Sequence, residues 1–267
     1  MPLAVCATPI GNLEDVTLRV LRELAEADAV LAEDTRHTRK LLERHGIDAR
    51  LVSYHEHNEA KRTAEFLPRL AAGERMALVS DAGLPGINDP GARLVAAALE
   101  AGVAVTVLPG PSAVGTALVA SGLVGERYQF LGYLPRGERA LAGLGEELGR
   151  WPWPVVAFES PQRLPRSLAA FARVIPDRRA AVCRELTKRH EEVVRGTVSE
   201  LAGRIREPVR GEVTLVLGGA DAQAGDEDEA ARAVAELVDA GLPRRQAADV
   251  VARLTGASRN RLYRASL

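Results

Sequence analysis

The sequence contains no run of eighteen apolar residues, the length that a membrane-spanning helix needs, so we expect no contact with a membrane. Its first residues also lack a basic segment followed by an apolar core, which argues against a secretory signal peptide. Cysteine is scarce, since only Cys6 and Cys183 occur in 267 residues, and each lies in an apolar run. Two isolated cysteines do not build a disulfide framework, so we expect two buried thiols and a cytoplasmic location.

Familiar nucleotide and metal motifs are also missing. Neither the GxGxxG fingerprint nor the GxxxxGK[ST] phosphate loop occurs, which argues against a dinucleotide-dependent dehydrogenase or a kinase. His55 and His57 flank Glu56 and would share one face of a strand. No third ligand is evident near them, so we expect no metal site.

The chain has almost no net charge, but its charges are unevenly distributed. A formal net charge of −1 argues against a protein that coats nucleic acid non-specifically. An acidic block covers residues 226–229, whereas residues 243–267 hold six arginines and one aspartate. Two interpretations of this basic tail stay open, a solvated helix surface and a surface that contacts RNA.

Short apolar runs and longer helical patterns alternate through the first half of the chain. This alternation predicts a parallel sheet that helices cover on both faces, with ligands bound outside the carboxyl ends of the strands. The predicted strands are Leu3–Ala7, Ala29–Ala32, Leu51–Tyr54, Met76–Val79 and Val103–Leu108.

The pattern changes near Ser121 and Gly122, and strands become denser, so we expect a second domain with a mixed sheet. Residues 218–225 have the composition of a linker. Three short helices are predicted beyond it, and the whole chain divides into domains at residues 1–120, 121–220 and 228–267. The strands predicted for the second domain are Tyr128–Leu134, Val155–Glu159, Ala180–Arg184 and Gly211–Leu217.

The segment SDAGLPGINDPG, residues 80–91, follows a predicted strand and holds three glycines, two prolines and two aspartates. Glycine lets a ligand approach the backbone and proline fixes the loop in advance, so the segment predicts a ligand-binding loop. Asp81 is placed to accept from a hydroxyl or ammonium group. A second loop, LPGPSAV, ends the fifth strand, and its Ser112 can cap a helix whose N-terminus suits an anionic group.

Two adjacent acids, Glu33 and Asp34, close the second strand beside Arg36. They are consistent with a capping and ion-pair cluster, or with a general base that takes a proton from a hydroxyl. Neighbouring residues of a strand point to opposite faces, so only one of the pair can face the cleft. We predict Asp34 as the catalytic member, because it lies nearer the loop.

Eight segments occur in an order that resembles a known family. Together they resemble the bacterial 16S ribosomal RNA 2′-O-ribose cytidine methyltransferases, within the tetrapyrrole-methylase-like enzymes that use S-adenosylmethionine (SAM). The likeness covers residues 3–267, except that Gln162 stands where the family usually has histidine, which puts a proton-transfer role there in doubt. The segments are ATPIGNLEDVTLRVL, AEDTRHTRKLL, SDAGLPGINDPG, LPGPSAV, FLGYLPR, FESPQR, CRELTKRHEEVVRGT and GEVTLVLGG.

The resemblance implies two α/β domains with a SAM cleft between them and a small helical C-terminal domain. It also implies a homodimer that methylates the ribose 2′-OH of a cytidine in the decoding region of 16S rRNA, within the small ribosomal subunit. The catalytic candidates are Asp34, Glu33, Arg36 and Lys188. The residues expected to bind SAM are Pro9, Ile10, Ser80, Asp81, Ala82, Gly83, Pro109, Ser112, Ala113, Leu131, Ser160 and Thr214.

Two rival functions remain. One is a SAM-dependent methylase of a tetrapyrrole or another small molecule, against which the basic tail argues. The other is a SAM- or RNA-binding module without catalysis, which would bind the cofactor but not turn it over.

Overall fold

The computed structural model describes residues 2–220, 224–255 and 257–267, without the side chains of residues 224–228. Its first sheet has five parallel strands in the order β3-β2-β4-β1-β5, and the predicted strands coincide with them to within two residues at each end. These strands are β1 (Leu3–Cys6), β2 (Ala29–Ala32), β3 (Leu51–Ser53), β4 (Met76–Val79) and β5 (Val105–Leu108).

Four helices cover this sheet, and apolar cores lie on both of its faces, as the alternating pattern predicted. Polar side chains start two of them, since the Thr17 hydroxyl accepts from the Val20 N–H and the Asp34 carboxylate accepts from the Arg36 N–H. The helices are α1 (Leu18–Glu26), α2 (Thr35–Arg44), α3 (Glu59–Ala71) and α4 (Ala92–Glu100).

The second sheet is mixed, as expected, and its strand order is β6-β7-β10-β8-β9. Only β6 and β7 pair in parallel, and the other neighbours are antiparallel. Its strands are β6 (Gln129–Tyr133), β7 (Val155–Glu159), β8 (Arg179–Arg184), β9 (Glu192–Thr197) and β10 (Val213–Leu217), with helices α6 (Glu138–Gly149), α7 (Leu164–Ala172) and α8 (Val198–Arg204).

The sequence did not predict β9 or α6. The segment that forms β9 is partly exposed and has no clean apolar alternation, and α6 carries internal glycines at 143 and 145 that weaken a helical pattern.

Helix α5 (Ala113–Ser121) joins the two sheets. It follows the last strand of the first sheet but packs on β7, β8 and β10 of the second. An apolar cluster there combines Ile10 from the loop after β1 with Val114, Ala181 and Val216. This packing holds the carboxyl edge of the first sheet against the second sheet and sets the width of the space between them.

Three helices form the C-terminal part of the chain, as predicted, and they have a small apolar core of their own that includes Val234, Ala248 and Leu262. They are α9 (Ala224–Asp239), α10 (Arg244–Thr255) and α11 (Arg259–Ala265). In the predicted linker, backbone bonds tie Gly218 and Ala220 to the second domain. Residues 221–223, as well as the side chains of 226–228 in the acidic block, lie outside the described residues.

Both cysteines are buried, as predicted. Burial raises the pKa of the Cys6 thiol to about 12 and that of Cys183 to about 11, so neither is a ready nucleophile. Over the ranges that the structure describes, no helix is both long and apolar enough to span a bilayer.

A close backbone approach at Gly219 leads to a prediction about stability. A Cβ at this position would overlap the carbonyl oxygen of Pro152, which is backbone and cannot rotate away. We expect Gly219→Ala to lower the free energy of unfolding by about 1–3 kcal/mol, measured by urea denaturation. The control is Gly143→Ala in α6, where a Cβ meets nothing within 4 Å and the change is expected to stabilise the helix slightly. Equal effects of the two substitutions would contradict the prediction.

Candidate active site

A cavity of about 700 Å³ lies between the carboxyl edge of the first sheet and one face of the second. This is the edge on which open α/β sheets bind ligands, and the volume lies in the range of small-molecule sites. The first domain contributes Ile10, Glu33, residues 81–84, residues 87–89 and residues 112–114. The second contributes Tyr133, residues 158–161, Cys183, Leu186 and residues 211–214.

The loop of residues 80–91 forms one wall of this cavity and is anchored to the loop after β1. Thr8 and Gly83 exchange backbone hydrogen bonds of 2.8 and 3.0 Å, and the Thr8 hydroxyl donates to the Ser80 carbonyl at 3.0 Å. Gly83 has a φ of +77° and Gly91 a φ of +135°, conformations that L side chains rarely adopt. Glycine at these positions lets the loop adopt backbone conformations that place residues 81–84 and 87–89 on the cavity wall.

Hydrogen bonds interlock the acid pair after β2 with this loop. The Asp81 carboxylate accepts from the Asp34 N–H at 3.0 Å, and the Asp81 N–H donates to Oε2 of Glu33 at 3.4 Å. Glu33 lines the cavity. Burial raises the pKa of Glu33, and the carboxylates of Asp81 and Asp34 act in the same direction. A half-buried carboxylate held by a backbone N–H has the chemistry of a proton acceptor for a ligand in this cavity.

Asp34, which the sequence favoured as the catalytic acid, does not line the cavity. It caps α2, and Arg36 binds it through Nε at 3.1 Å and a terminal nitrogen at 2.6 Å. These hydrogen bonds to Arg36 hold the pKa of Asp34 well below its usual range. The Arg36 side chain is 88% exposed and outside the cavity wall. Of the two acids, Glu33 lines the cavity and Asp34 does not.

A third carboxylate, Asp89, also lines the cavity, and the sequence analysis gave it no role. Burial raises its pKa to about 6, with a further contribution from the charge of Glu33. Glu33, Asp81 and Asp89 therefore make this wall acidic, which suits a ligand that carries positive charge.

Lys188, the remaining catalytic candidate, also lies outside the cavity lining. Its Nζ donates to Glu185 at 2.9 Å and to Glu212 at 3.0 Å. Gly11 packs so closely against it that a Cβ there would lie 2.5 Å from Lys188 Cγ. Lys188 thus joins the loop after β1 to the rim of the second domain, and two carboxylates balance its charge.

Eight of the twelve residues predicted to bind the cofactor line the cavity: Ile10, Asp81, Ala82, Gly83, Ser112, Ala113, Ser160 and Thr214. Pro9 and Ser80 lie beside a small separate crevice, where the Ser80 side chain is buried within its own loop. Pro109 is exposed, and Leu131 packs against the core of the second domain. The eight residues of the lining come together at the cavity, whereas the side chains of Pro9, Ser80, Pro109 and Leu131 lie outside its wall.

A buried carboxylate, Glu159, closes the floor of the cavity. Its side chain is 0% exposed and pairs with Arg163 at 2.5 Å, accepts from the Ser160 N–H at 2.6 Å and accepts from the Ser167 hydroxyl. It fixes the turn that presents Ser160 to the cavity. The neighbouring Gln162, at the position that departs from the family pattern, is exposed and outside the cavity lining.

Sequence reasoning missed several cavity residues, among them Tyr133, Phe158, Asp89 and Glu212. The segments FLGYLPR and FESPQR were recognised as wholes, but no pattern within them showed which side chains turn inward. His55 and His57 lie with ring centroids 5.9 Å apart. Within the described part of the chain, no group of three or more His, Cys, Asp or Glu side chains is placed to hold a metal ion.

Most arginines of the basic tail are exposed. Arg245 and Arg264 lie on the surfaces of α10 and α11, Arg259 pairs with Asp249 at 2.8 Å, and Arg244 donates to the Ser266 carbonyl. The tail thus combines arginines that brace its helices with others that face solvent.

Comparison with known proteins assigns both parts of the chain. Residues 2–202 match the family model of the Tetrapyrrole (Corrin/Porphyrin) Methylases, and residues 224–267 match the RsmI C-terminal HTH domain. A protein of Micromonospora olivasterospora named Ribosomal RNA small subunit methyltransferase I is 46% identical over 265 residues, which are 98% of this chain and 85% of that protein. The protein of the same name from Escherichia coli O157:H7 is 40% identical over 99% of this chain and 94% of its own length.

Among solved structures, the uroporphyrin-III C-methyl transferase from Thermus thermophilus complexed with S-adenyl homocysteine aligns with a TM-score of 0.57 at 21% identity. The alignment covers 81% of this chain and 96% of that one. At 21% identity, the similarity to this structure shows the fold alone. The two α/β domains and the helical C-terminal domain expected from the sequence are confirmed.

Proposed function

This chain belongs to the ribosomal RNA small subunit methyltransferase I family of tetrapyrrole-methylase-type proteins, and on that basis we propose that it transfers a methyl group from SAM to RNA. The acceptor is the ribose 2′-OH of a cytidine in the decoding region of 16S rRNA. The observation that carries the chemistry is a half-buried carboxylate, Glu33, on the wall of a cavity of about 700 Å³ between the two sheets.

The residues of the cavity fit SAM. Its ammonium and sulfonium charges suit the wall formed by Glu33, Asp81 and Asp89, and its carboxylate suits the N-terminus of α5 at Ser112 and Ala113. Ser160 and Thr214 supply polar groups on the opposite wall. When bound, SAM supplies a methyl group already activated by the positive sulfur.

With an activated donor, the protein mainly has to align the acceptor and remove its proton. We assign proton removal to Glu33, because it faces the cavity and the Asp81 N–H holds its Oε2. Asp34 and Arg36 shape the start of α2, and Lys188 braces the cleft rim. After transfer, the ribose oxygen carries the methyl group, the proton is on the Glu33 carboxylate, and S-adenosylhomocysteine leaves.

The test is incubation of the protein with labelled SAM and small ribosomal subunits that lack the modification, followed by nucleoside mapping. Label in a 2′-O-methylcytidine of the decoding region is the expected result. Label in a base, in another nucleoside or only in an added tetrapyrrole would contradict the proposal. SAM binding without any transfer would favour the binding-module alternative.

We further propose that the basic tail binds this RNA. Replacing both Arg245 and Arg264 by glutamine is expected to weaken RNA binding and to flatten its dependence on salt. Each lost phosphate contact lowers the slope of log K against log salt by about 0.7–0.9. Titrations of fluorescent RNA across a salt series measure this slope. The control is the double glutamine variant of Arg19 and Arg22, which are exposed on α1. An unchanged slope in the tail variant would contradict the proposal.

The homodimer and the cytoplasmic location stay predictions. Sedimentation equilibrium of the purified chain, whose monomer mass is 28.6 kDa, tests the first, and cell fractionation tests the second.

A further inference from the structure

An exposed aromatic side chain, Tyr133, stands at the mouth of the cavity. It lines the cavity, yet 62% of its surface is exposed. Its ring meets Phe158 edge to face with centroids 5.6 Å apart, and Phe158 meets Phe130 in the same way at 5.0 Å. Phe130 and Phe158 pack against the apolar cluster between the two domains, so the outermost ring rests on a fixed support.

The backbone determines where this ring points. The pairing of β6 with β7 shifts register between Phe130 and Tyr133, and Gly132 has a φ of +67°. Such an irregularity re-aims the side chain that follows it. The amide of Asn88, from the loop of residues 80–91, lies against Gly132, where a Cβ would be only 3.0 Å from its Oδ1. The irregular pairing of β6 in the second domain and the contact with Asn88 of the first domain thus together direct Tyr133 to the cavity mouth.

Ile87 lies on the same cavity wall as Asn88 and is 50% exposed. A large aliphatic side chain on the acidic wall and a large aromatic side chain on the opposite wall are therefore both open to solvent at the cavity. Exposed apolar surface concentrated at a cavity points to a ligand that is flat and apolar on its faces. A nucleobase has this character, since its faces stack and its edge carries the polar groups.

We propose that Tyr133 is the stacking platform for the base of the target nucleotide, which leaves the RNA stack when its ribose enters the cavity. This inference rests on the proposed function, which supplies RNA as the substrate. The adenine of SAM is also a nucleobase, so the cofactor is the other candidate for stacking on Tyr133. The exposure of Tyr133 favours the RNA base, because a ring at the cavity mouth meets the macromolecular substrate as it arrives from solvent.

Two carboxylates of the cavity lining bear on which base would stack on this ring. Glu212 and Asp89 line the same cavity as Tyr133, one on each side of it along the chain. Carboxylate oxygens accept from the exocyclic amino group of cytosine and find no such donor on uracil. The cavity thus suits a base with an exocyclic amino group, and cytosine is one such base.

The test compares Tyr133→Ala, Tyr133→Leu and Tyr133→Phe in the full-length protein. The matched control is Tyr128→Ala, since Tyr128 is 51% exposed just before the same strand but does not line the cavity. We expect the alanine and leucine variants to raise KM for unmodified small subunits by about 5- to 100-fold, the range of base stacking on an aromatic ring. The phenylalanine variant keeps the ring and should stay within about threefold of wild type. Calorimetry with S-adenosylhomocysteine should give an unchanged Kd for all four, which also shows that they are folded.

Three outcomes separate the possibilities. A weaker Kd for S-adenosylhomocysteine in Tyr133→Ala and Tyr133→Leu, with Tyr133→Phe unaffected, would assign the ring to the cofactor and overturn the inference. A wild-type KM in Tyr133→Ala, with an active wild-type enzyme, would overturn the inference and leave the proposed function intact. Absence of transfer to RNA by the wild-type protein would overturn both.

Discussion

Replacing Glu33 by glutamine is expected to reduce the single-turnover rate of methyl transfer by about 10²- to 10⁴-fold, the usual contribution of a general base. Glutamine keeps the size of the side chain and an oxygen for the Asp81 N–H, but it cannot take up the ribose proton. Binding of S-adenosylhomocysteine and RNA should stay within a few-fold of wild type, because the group acts in the transition state.

The pH dependence gives a second measure of the same assignment. Burial raises the pKa of Glu33 above its ordinary value, and the base works only when ionised. The rate should therefore rise with pH through that raised pKa and then level off, and this acidic limb should disappear in Glu33→Gln. Asp89 lines the same cavity, and its pKa is raised to about 6. If the rise of rate with pH survives in Glu33→Gln but disappears in Asp89→Asn, the general base is Asp89 and not Glu33.

The matched control is Asp34→Asn, which changes the neighbouring carboxylate in the same way. Asparagine still caps a helix, and Asp34 does not line the cavity, so we expect nearly wild-type turnover. A large loss in Asp34→Asn together with an active Glu33→Gln would restore the interpretation that the sequence alone favoured.

Replacing Glu159 by alanine is expected to lower the free energy of unfolding by about 3–5 kcal/mol, the range for removing one partner of a buried ion pair. The side chain is 0% exposed and accepts from the Ser160 N–H and the Ser167 hydroxyl while it pairs with Arg163. Alanine leaves these donors without their acceptor in the floor of the cavity.

Urea unfolding followed by circular dichroism measures this loss. The control is Glu65→Ala, because Glu65 pairs with Arg62 on the surface of α3 and such pairs contribute less than about 1 kcal/mol. A loss in Glu159→Ala no larger than in Glu65→Ala would show that the buried network contributes little to stability.

The strands of both sheets were largely predictable from the sequence, because a strand buried on both faces needs an unbroken apolar run. Ala29–Ala32, Met76–Val79 and Val155–Glu159 were predicted with the bounds that the structure has. Strand β9 was not, since its side chains are mostly partly exposed and its apolar residues do not alternate.

The candidate site was predictable only in part. Glycines, prolines and acids at the carboxyl ends of strands identified the loops of the first domain, since that edge binds ligands in this class of sheet. The choice between Glu33 and Asp34 depended on the turn into α2, where Asp34 leaves the strand to cap the helix. Local pattern does not distinguish a cap from a base, because both are acids at the end of a strand.

The sequence by itself determined the alternation of elements, the loops at the carboxyl edge and, through the resemblance of its segments, the family. Only the tertiary structure decided which side chains share the cavity. Tyr133, Phe158 and Thr214 are more than 40 residues from Asp89 along the chain, yet they line the same space. Packing of α5 on the second sheet and the irregular pairing of β6 place them there. These contacts depend on the relative position of two sheets, and no periodicity within one segment records that position.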